Sequence, residues 1–398
     1  MFLHVPPAPP ALVRPVISNP GPREVSFGTV AGRVGAGTTR IVVRVDGVKK
    51  AEVSLAPERS RFFIPPRSFR IRLALPPRDV KIRVIAFNDA GESAGRSVGP
   101  VFGLPRAGYP VSIRSVEDSA LRRRIRELVQ AYPGPASVYV QDLRSGRGAA
   151  WNALARHQAA STLKLGIALE VLRVLPKKPA PGTHLADLFR RMLVYSDNQA
   201  ANDLEVWLGG STSGGAERVN ATLRALHLSG SHMYGGYIVG TAADRPIPLQ
   251  VNSQPPYYTF GKFTTAWDLS RLHRLFHRAT VGQGALLDLQ GHFTPSDARY
   301  LLYTLAHVQD PGKVDRYIGD SPGVSVLHKA GWIFHARHDS ALVFWRGGAF
   351  VVTVMTWNWD EAGTSSDVLA GRVARAALRR FTALAGRPTD PHGWLIRS

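Results

Sequence analysis

Two hydrophobic periodicities divide this chain. Between about residues 24 and 103 the apolar positions come in short runs. Phe69-Arg70-Ile71-Arg72-Leu73-Ala74-Leu75 and Val80-Lys81-Ile82-Arg83-Val84-Ile85-Ala86-Phe87 alternate apolar and polar, and Ile41-Val42-Val43-Arg44-Val45 is β-branched. A period of two puts one face of a strand on a core and the other in water. Asp46-Gly47 is a two-residue hairpin signal, and Asn88-Asp89-Ala90-Gly91-Glu92-Ser93 is a polar turn. Strands at this spacing, with no helical pattern between them, predict a small β-sandwich over residues 21–105. Residues 1–20 are Pro-rich and expected to be irregular.

A linker is expected at 106–114, within the Gly- and Pro-containing stretch that begins at Gly103. Beyond it the period changes. DSALRRRIRELVQA, residues 118–131, has helical spacing and an Asp118 N-cap. ASVYVQDL (136–143) reads as a strand, 144–148 as a turn and 149–152 as the returning strand. A helical middle follows, then strands at 324–334, 340–345 and 349–357 and an amphipathic helix at 365–383. This order predicts an α+β domain over 115–385, with one antiparallel sheet completed from both ends and helices packed on it. Residues 386–398 are left as a tail.

Composition adds limits. The net charge is +21, spread along the chain, with 16 basic against 7 acidic residues in the first 105. Such a field attracts polyanions. No recognised nucleic-acid-binding motif accompanies it, so no sequence-specific nucleic-acid partner is expected. The absence of cysteine excludes disulfides, thiolate metal sites and cysteine nucleophiles. The opening MFLHVPPAPPALVRPV is broken by five prolines and does not read as a signal peptide.

Three short motifs carry the candidate chemistry. Ser161-Thr162-Leu163-Lys164 opens an apolar helical run. Residues three apart share a helix face, so Lys164 can hold its amine beside the Ser161 hydroxyl. A serine hydroxyl needs a proton acceptor to become a nucleophile. A neutral Lys164 is one candidate, and a charged one steering the proton elsewhere is another. Ser196-Asp197-Asn198 follows 35 residues on. Its hydroxyl can relay a proton to a leaving nitrogen, and its asparagine can hold a substrate amide. Lys329-Ala330-Gly331 ends a strand. Lys329 can bind a carboxylate, and the backbone N–H of Trp332 can share an oxyanion with that of Ser161. Each tripeptide taken alone is also what a capped helix or a solvated strand lysine would show.

Together, in this order and context, the motifs resemble the penicillin-recognising serine enzymes, the class A β-lactamases in particular, over roughly residues 115–385. TTAWDLSRLHRLF is similar to a helix of that family, and HKAGWIFHARHDSALVFWRGGAFVVTVMTW to its last strands. The resemblance implies an antiparallel sheet flanked by helices with an all-helical lobe, and an acyl-enzyme on Ser161. Lys164 and Ser196 would be catalytic, and Asn198, Lys329, Gly331 and Trp332 would bind substrate. No cofactor and no metal are implied. VRVIAFNDAGESAG resembles the last hairpin of an immunoglobulin-like or fibronectin type III-like module.

The chain departs from that pattern in three places. The family's loop glutamate, which activates the deacylating water, has no counterpart. The nearest echo, Ile247-Pro248-Leu249-Gln250-Val251-Asn252, keeps the Pro and Asn without the acid. Gln250, Asp244, Tyr234 and His232 are the candidate substitutes, and slow deacylation is expected. Ala330 stands where a hydroxyl is usual, with His335, Arg337 or His338 as candidates to compensate. The second and third motifs are 133 residues apart, the addition lying in the Gly-, Pro- and Tyr-rich stretch 230–262, beside the expected mouth of the site.

The expected function is therefore a serine acyl hydrolase acting on a β-lactam or a peptidoglycan-like amide. A penicillin-binding DD-carboxypeptidase or transpeptidase is the second reading, and a non-catalytic wall-binding module the third. An anionic cell-wall polymer is a candidate partner. The protein is expected to be a monomer, secreted or associated with the cell envelope.

Overall fold

The computed structural model describes residues 12–55, 67–240 and 261–385. The chain divides into two compact units, Met1–Arg106 and Ala107–Ser398.

The first unit holds strands β1 (Val16–Asn19), β2 (Glu24–Ser26), β3 (Thr29–Val34), β4 (Arg40–Val45), β5 (Val48–Ser54), β6 (Arg67–Arg72), β7 (Asp79–Phe87) and β8 (Ser93–Gly103). They form a three-stranded sheet, β1-β3-β6, and a five-stranded sheet, β2-β8-β7-β4-β5. Along β7 the alternation is direct: Val80, Ile82, Val84 and Ala86 are buried, while Lys81 and Arg83 are exposed. The buried positions join Ile41, Val43 and Val45 of their own sheet and Val30, Val34, Phe69 and Ile71 of the other in one apolar cluster. Asp46 and Gly47 close the β4–β5 hairpin at φ +49° and +82°. Two consecutive positive φ values match the right-handed twist of the flanking strands, which is why Asp-Gly is favoured there.

The second unit begins with β9 (Val116–Glu117), α1 (Ser119–Gln130), β10 (Ala136–Asp142), β11 (Arg147–Trp151) and β12 (His157–Gln158). Then come α2 (Lys164–Val174), α3 (His184–Val194), α4 (Asn198–Gly209), α5 (Thr212–Ala225), β13 (Phe263–Thr264), α6 (Ala266–Ala279) and α7 (Pro295–Leu305). It ends with β14 (Ser325–Ile333), β15 (Ala336–Trp345), β16 (Gly348–Trp357) and α8 (Thr364–Ala385). The main sheet runs β14-β15-β16-β10-β11-β9, so strands from the two ends of the unit meet where β10 pairs with β16. Asp118 caps α1, its carboxylate accepting from Leu121 N at 2.9 Å. Residues 107–114 of the expected linker belong to this unit, and the Gly108 carbonyl accepts from His277 Nε2 of α6 at 2.7 Å.

Both faces of the sheet are covered, and every residue of β10 and β16 is buried. On one face Val138, Val140, Val343, Val352 and Val354 pack with Leu121 and Ile125 of α1 and Val373, Ala377 and Phe381 of α8. On the other, Thr353 exchanges hydrogen bonds with Ser340 (2.6 Å) and with Ser270 of α6 (2.7 Å), so the buried hydroxyls are satisfied. Helices α2 to α5 and α7 make up the helical lobe. Residues 164–172 of α2 are all buried, as befits a central helix. Its one carboxylate, Glu170, bonds Arg173 and also Thr222 of α5, both at 2.7 Å, which pins the two helices together.

Candidate active site

The serine of the first motif lies on a tight turn. Residues Ala160–Leu163 form one 3-10 turn that leads into α2, so Ser161 sits just ahead of the α-helix and Lys164 on its first position. Ala160 holds φ at +47°, a left-handed conformation that costs an L-residue about 1–3 kcal/mol. Thr162 Oγ1 ties the turn to the Ala159 carbonyl at 2.6 Å. The turn packs against β14, the edge strand, and the contact is backbone to backbone at Gly331. A Cβ there would lie 2.6 Å from Ser161 N and 2.8 Å from Thr162 N. Only glycine allows that approach, which brings the backbone of Ser161 beside that of Trp332. The Trp332 side chain is itself 61% exposed at the rim.

Two fully buried lysines converge on Ser196. Lys164 Nζ donates to the Ser196 carbonyl at 2.5 Å and to Asn198 Oδ1 at 2.6 Å. Lys329 Nζ donates to Ser196 Oγ at 2.8 Å and to the Ala330 carbonyl at 2.7 Å. Ser196 also holds a positive φ, +57°. Asp197 caps α4 through Ala200 N at 3.0 Å and pairs with Arg191, a structural role. Burial drives the Lys164 amine well below the usual lysine range, and the nearby Lys329 and Lys262 push the same way. Burial brings Lys329 down to about 8.

Ser161, Lys164, Ser196, Asn198, Lys329, Gly331 and Trp332 are thus gathered from three distant segments. The Asn198 carboxamide, expected to hold a substrate amide, is engaged at both ends: Oδ1 takes Lys164, and Nδ2 donates to the Ile238 carbonyl at 2.7 Å. Here it positions the lysine and the loop.

A cavity of about 80 Å³ opens beside the serine, lined by Gln158, Ala160, Ser161, Asn198, Tyr237, Ile238, Lys262, Trp332 and Ile333. Tyr237 and Lys262 escaped the sequence reading. Lys262 Nζ lies 3.2 Å from the centroid of the Tyr237 ring and donates to the Gly236 carbonyl at 3.2 Å. Lys164 Nζ is 4.6 Å from the same ring. Tyr237 is fixed by Asn202 on α4, whose Nδ2 donates to Tyr237 O at 2.9 Å while its Oδ1 accepts from Tyr237 N at 2.6 Å. The available signal was Asn198 and Asn202, one helical turn apart on one face. Asn202→Ala removes both bonds and is expected to cost about 1–3 kcal/mol, read as a lower midpoint of urea unfolding.

Several expectations are corrected. His232 pairs through its backbone with Phe263, and neither it nor the half-buried Tyr234 lines the pocket. Gln250, Asp244 and the rest of 247–252 lie outside the described residues. Among the described residues of the lining there is no carboxylate. None of the proposed compensators for Ala330 faces the pocket. His338 is buried with Nε2 on the Gln158 carbonyl at 2.8 Å, Arg337 pairs with Asp367 at 3.1 Å, and His335 Nδ1 bonds Asn358 O at 3.1 Å. The cause is local: each is claimed by a neighbouring backbone or carboxylate. Asp339, beside His338, pairs with His328 at 2.9 Å, which raises the imidazole's affinity for its proton against the effect of burial.

Comparison with known proteins bears on the fold and family of this unit. Residues 120–180 and 173–381 match the family model described as the beta-lactamase enzyme family, well over half of the chain. Among curated proteins, none matches. A solved structure of PBP-A is similar with a TM-score of 0.53 and 19% identity, covering 70% of this chain and 99% of that one. The beta-lactamase of Sphaerobacter thermophilus gives 0.51 and 20%, with 67% and 98% covered. A substituted PBP-A, solved as an acyl-enzyme complex with penicillin-G, gives 0.52 and 19%, with 68% and 98% covered. At these identities the likeness is one of fold, the α+β fold of class A β-lactamases and penicillin-binding proteins. The motifs, the sheet completed from both ends and the family match lead to one conclusion: through its second unit this chain belongs to the beta-lactamase enzyme family.

Proposed function

We propose that the second unit is a serine acyl hydrolase that forms an acyl-enzyme on Ser161 with a β-lactam or a peptidoglycan-like amide. The observation that carries this is Ser196 bridging two buried lysines beside the serine turn. A lysine amine held in its free-base form at Lys164 takes the Ser161 proton. Ser161 Oγ attacks the amide carbonyl, and the oxyanion rests on the N–H groups of Ser161 and Trp332. Ser196 passes a proton to the leaving nitrogen, and Lys329 keeps that hydroxyl oriented while attracting a substrate carboxylate. Because the sequence has no counterpart of the family's loop glutamate, the acyl-enzyme is expected to clear slowly.

The same lack favours a second reading, a penicillin-binding DD-carboxypeptidase or transpeptidase. Labelled penicillin separates the readings. A stoichiometric adduct that decays slowly supports the acyl-enzyme with weak deacylation. Prompt multiple turnover points to a β-lactamase, and a persistent adduct to the second reading. Absence of any adduct rejects both and leaves the non-catalytic wall-binding module.

For the first unit we infer an immunoglobulin-like β-sandwich, supported by its two sheets around one apolar cluster and the parallel β2–β8 pair. We further infer an anionic cell-wall polymer as partner. Its support is the net charge of +21 and a trough between α1 and α8 lined by Arg124, Arg372, Arg375, Arg379 and Arg380. These substrates imply a secreted or envelope-associated protein.

A further inference from the structure

The acylation steps use Ser161, Lys164, Ser196 and Lys329 and leave one amine of the pocket idle. Lys262 is only 2% exposed, yet it lines the same cavity as Ser161. Its Nζ has the Gly236 carbonyl on one side and the Tyr237 ring face on another. Taking an ammonium out of water is costly, and one carbonyl, one ring face and the charge of Glu205 offset that cost only in part. Both ends of the loop meet here, Tyr237 and Ile238 from its start and Lys262 from its end, on the side of the pocket where Asn198 and Asn202 hold the loop. This is the loop in which the family glutamate is missing. The cavity, at about 80 Å³, has room for water, which needs at least about 10–15 Å³.

We propose that Lys262 is the base that clears the acyl-enzyme, its amine acting from the wall of the cavity that Ser161 shares. This rests on the acyl-enzyme reading given above. In the step, a water in the cavity gives a proton to the Lys262 amine as its oxygen bonds to the ester carbonyl carbon. The tetrahedral species collapses, the bond from that carbon to Ser161 Oγ breaks, and the acid departs. The proton held on Lys262 returns through pocket water to Ser161 Oγ, which restores both residues. Burial holds the Lys262 amine at about 8, so some free base exists at neutral pH. The charged and titratable groups that act on it are Lys164 of α2, Glu205 of α4 and Tyr237 of the loop.

The test uses the full chain. A labelled penicillin is loaded in a single turnover and chased with unlabelled penicillin, and loss of label is followed between pH 6 and 9.5. Wild type, Lys262→Met and Lys262→Arg are compared. Decay is read only after loading is complete, because Lys262→Met also relieves Lys164 of a neighbouring cation, and adduct decay is expected to slow by roughly 10²-fold or more. Wild-type decay should quicken as pH rises through about 8, and decay in the variants should be flat across that window. Arginine keeps a cation against Tyr237 but does not shed its proton. Rescue of decay by Lys262→Arg would therefore mark a loop anchor and overturn the proposal, as would a variant clearing the adduct at the wild-type rate. Either result leaves the acyl-enzyme standing. If neither variant folds, a wild-type decay rate unchanged between pH 6 and 9.5 overturns it. No adduct on the wild type removes the acyl-enzyme itself, and this step with it.

Discussion

Lys164→Met is expected to slow labelling of Ser161 by penicillin about 10²–10⁴-fold, the range lost when a positioned general base is removed. Methionine keeps the apolar stem in the buried space but has no lone pair able to take the serine proton. The substitution strands the Ser196 carbonyl and Asn198 Oδ1, which Lys164 now serves at 2.5 and 2.6 Å. That costs at most about 1–3 kcal/mol for each partly buried group left without a donor. It also removes an amine crowded by Lys329 and Lys262, which acts in the opposite direction. Stability should therefore change far less than rate, and a thermal melt taken beside the labelling curve separates the two. Lys164→Arg should not rescue, since guanidinium stays charged. The sign of the pH dependence follows. The active form is the free base, so labelling falls as pH drops through the Lys164 pKa. Burial and the two neighbouring cations put that limb well below the ordinary lysine range. An acid limb near the solution value for lysine would exclude Lys164 as the base.

Gly331→Val should be nearly as damaging, by a different route. A side chain at 331 meets Ser161 N at 2.6 Å, Thr162 N at 2.8 Å and Ala160 Cβ at 3.2 Å. Two of these are backbone atoms of a turn already held at positive φ and tied by Thr162, so the turn cannot yield locally. Strand and turn must separate. A displacement of about 1 Å at reacting groups can cost 10²-fold. Separating the N–H groups of residues 161 and 332 is expected to bring the loss in labelling to about 10²–10³-fold. Gly363→Ala, where no atom lies within 4 Å of the added carbon, is the matched control and should label normally. Equal labelling by Gly331→Val and Gly363→Ala would show that the close contact has no part in the chemistry.

Much of this was legible because it is local. Asp46-Gly47 declares its hairpin, Asp118 its helix start and the period-two runs their strands, since each depends on neighbours within a turn or a strand. Ser161, Lys164, Ser196 and Lys329 were legible as a set, because their order and surroundings resemble a known family. What escaped depends on contacts distant in sequence. Tyr237 is turned to the site by Asn202, 35 residues away, and Lys262 is brought to the lining by its backbone, whose carbonyl accepts from Ala159 N at 3.0 Å. Nearness to the third motif misled the reading of His335, Arg337 and His338. His335 lies in the turn before β15, Arg337 and His338 face opposite ways along that strand, and each of the three has a partner elsewhere. Gly331 was legible as a motif position, while its reason, a backbone contact with the serine turn, needed the fold.

Mapping the penicillin adduct to a residue tests the central claim most directly. Intact-protein mass spectrometry of the parent should show one added penicilloyl group, peptide mapping should place it on Ser161, and Ser161→Ala should acquire none. An adduct on another residue, or one retained by Ser161→Ala, would contradict the account.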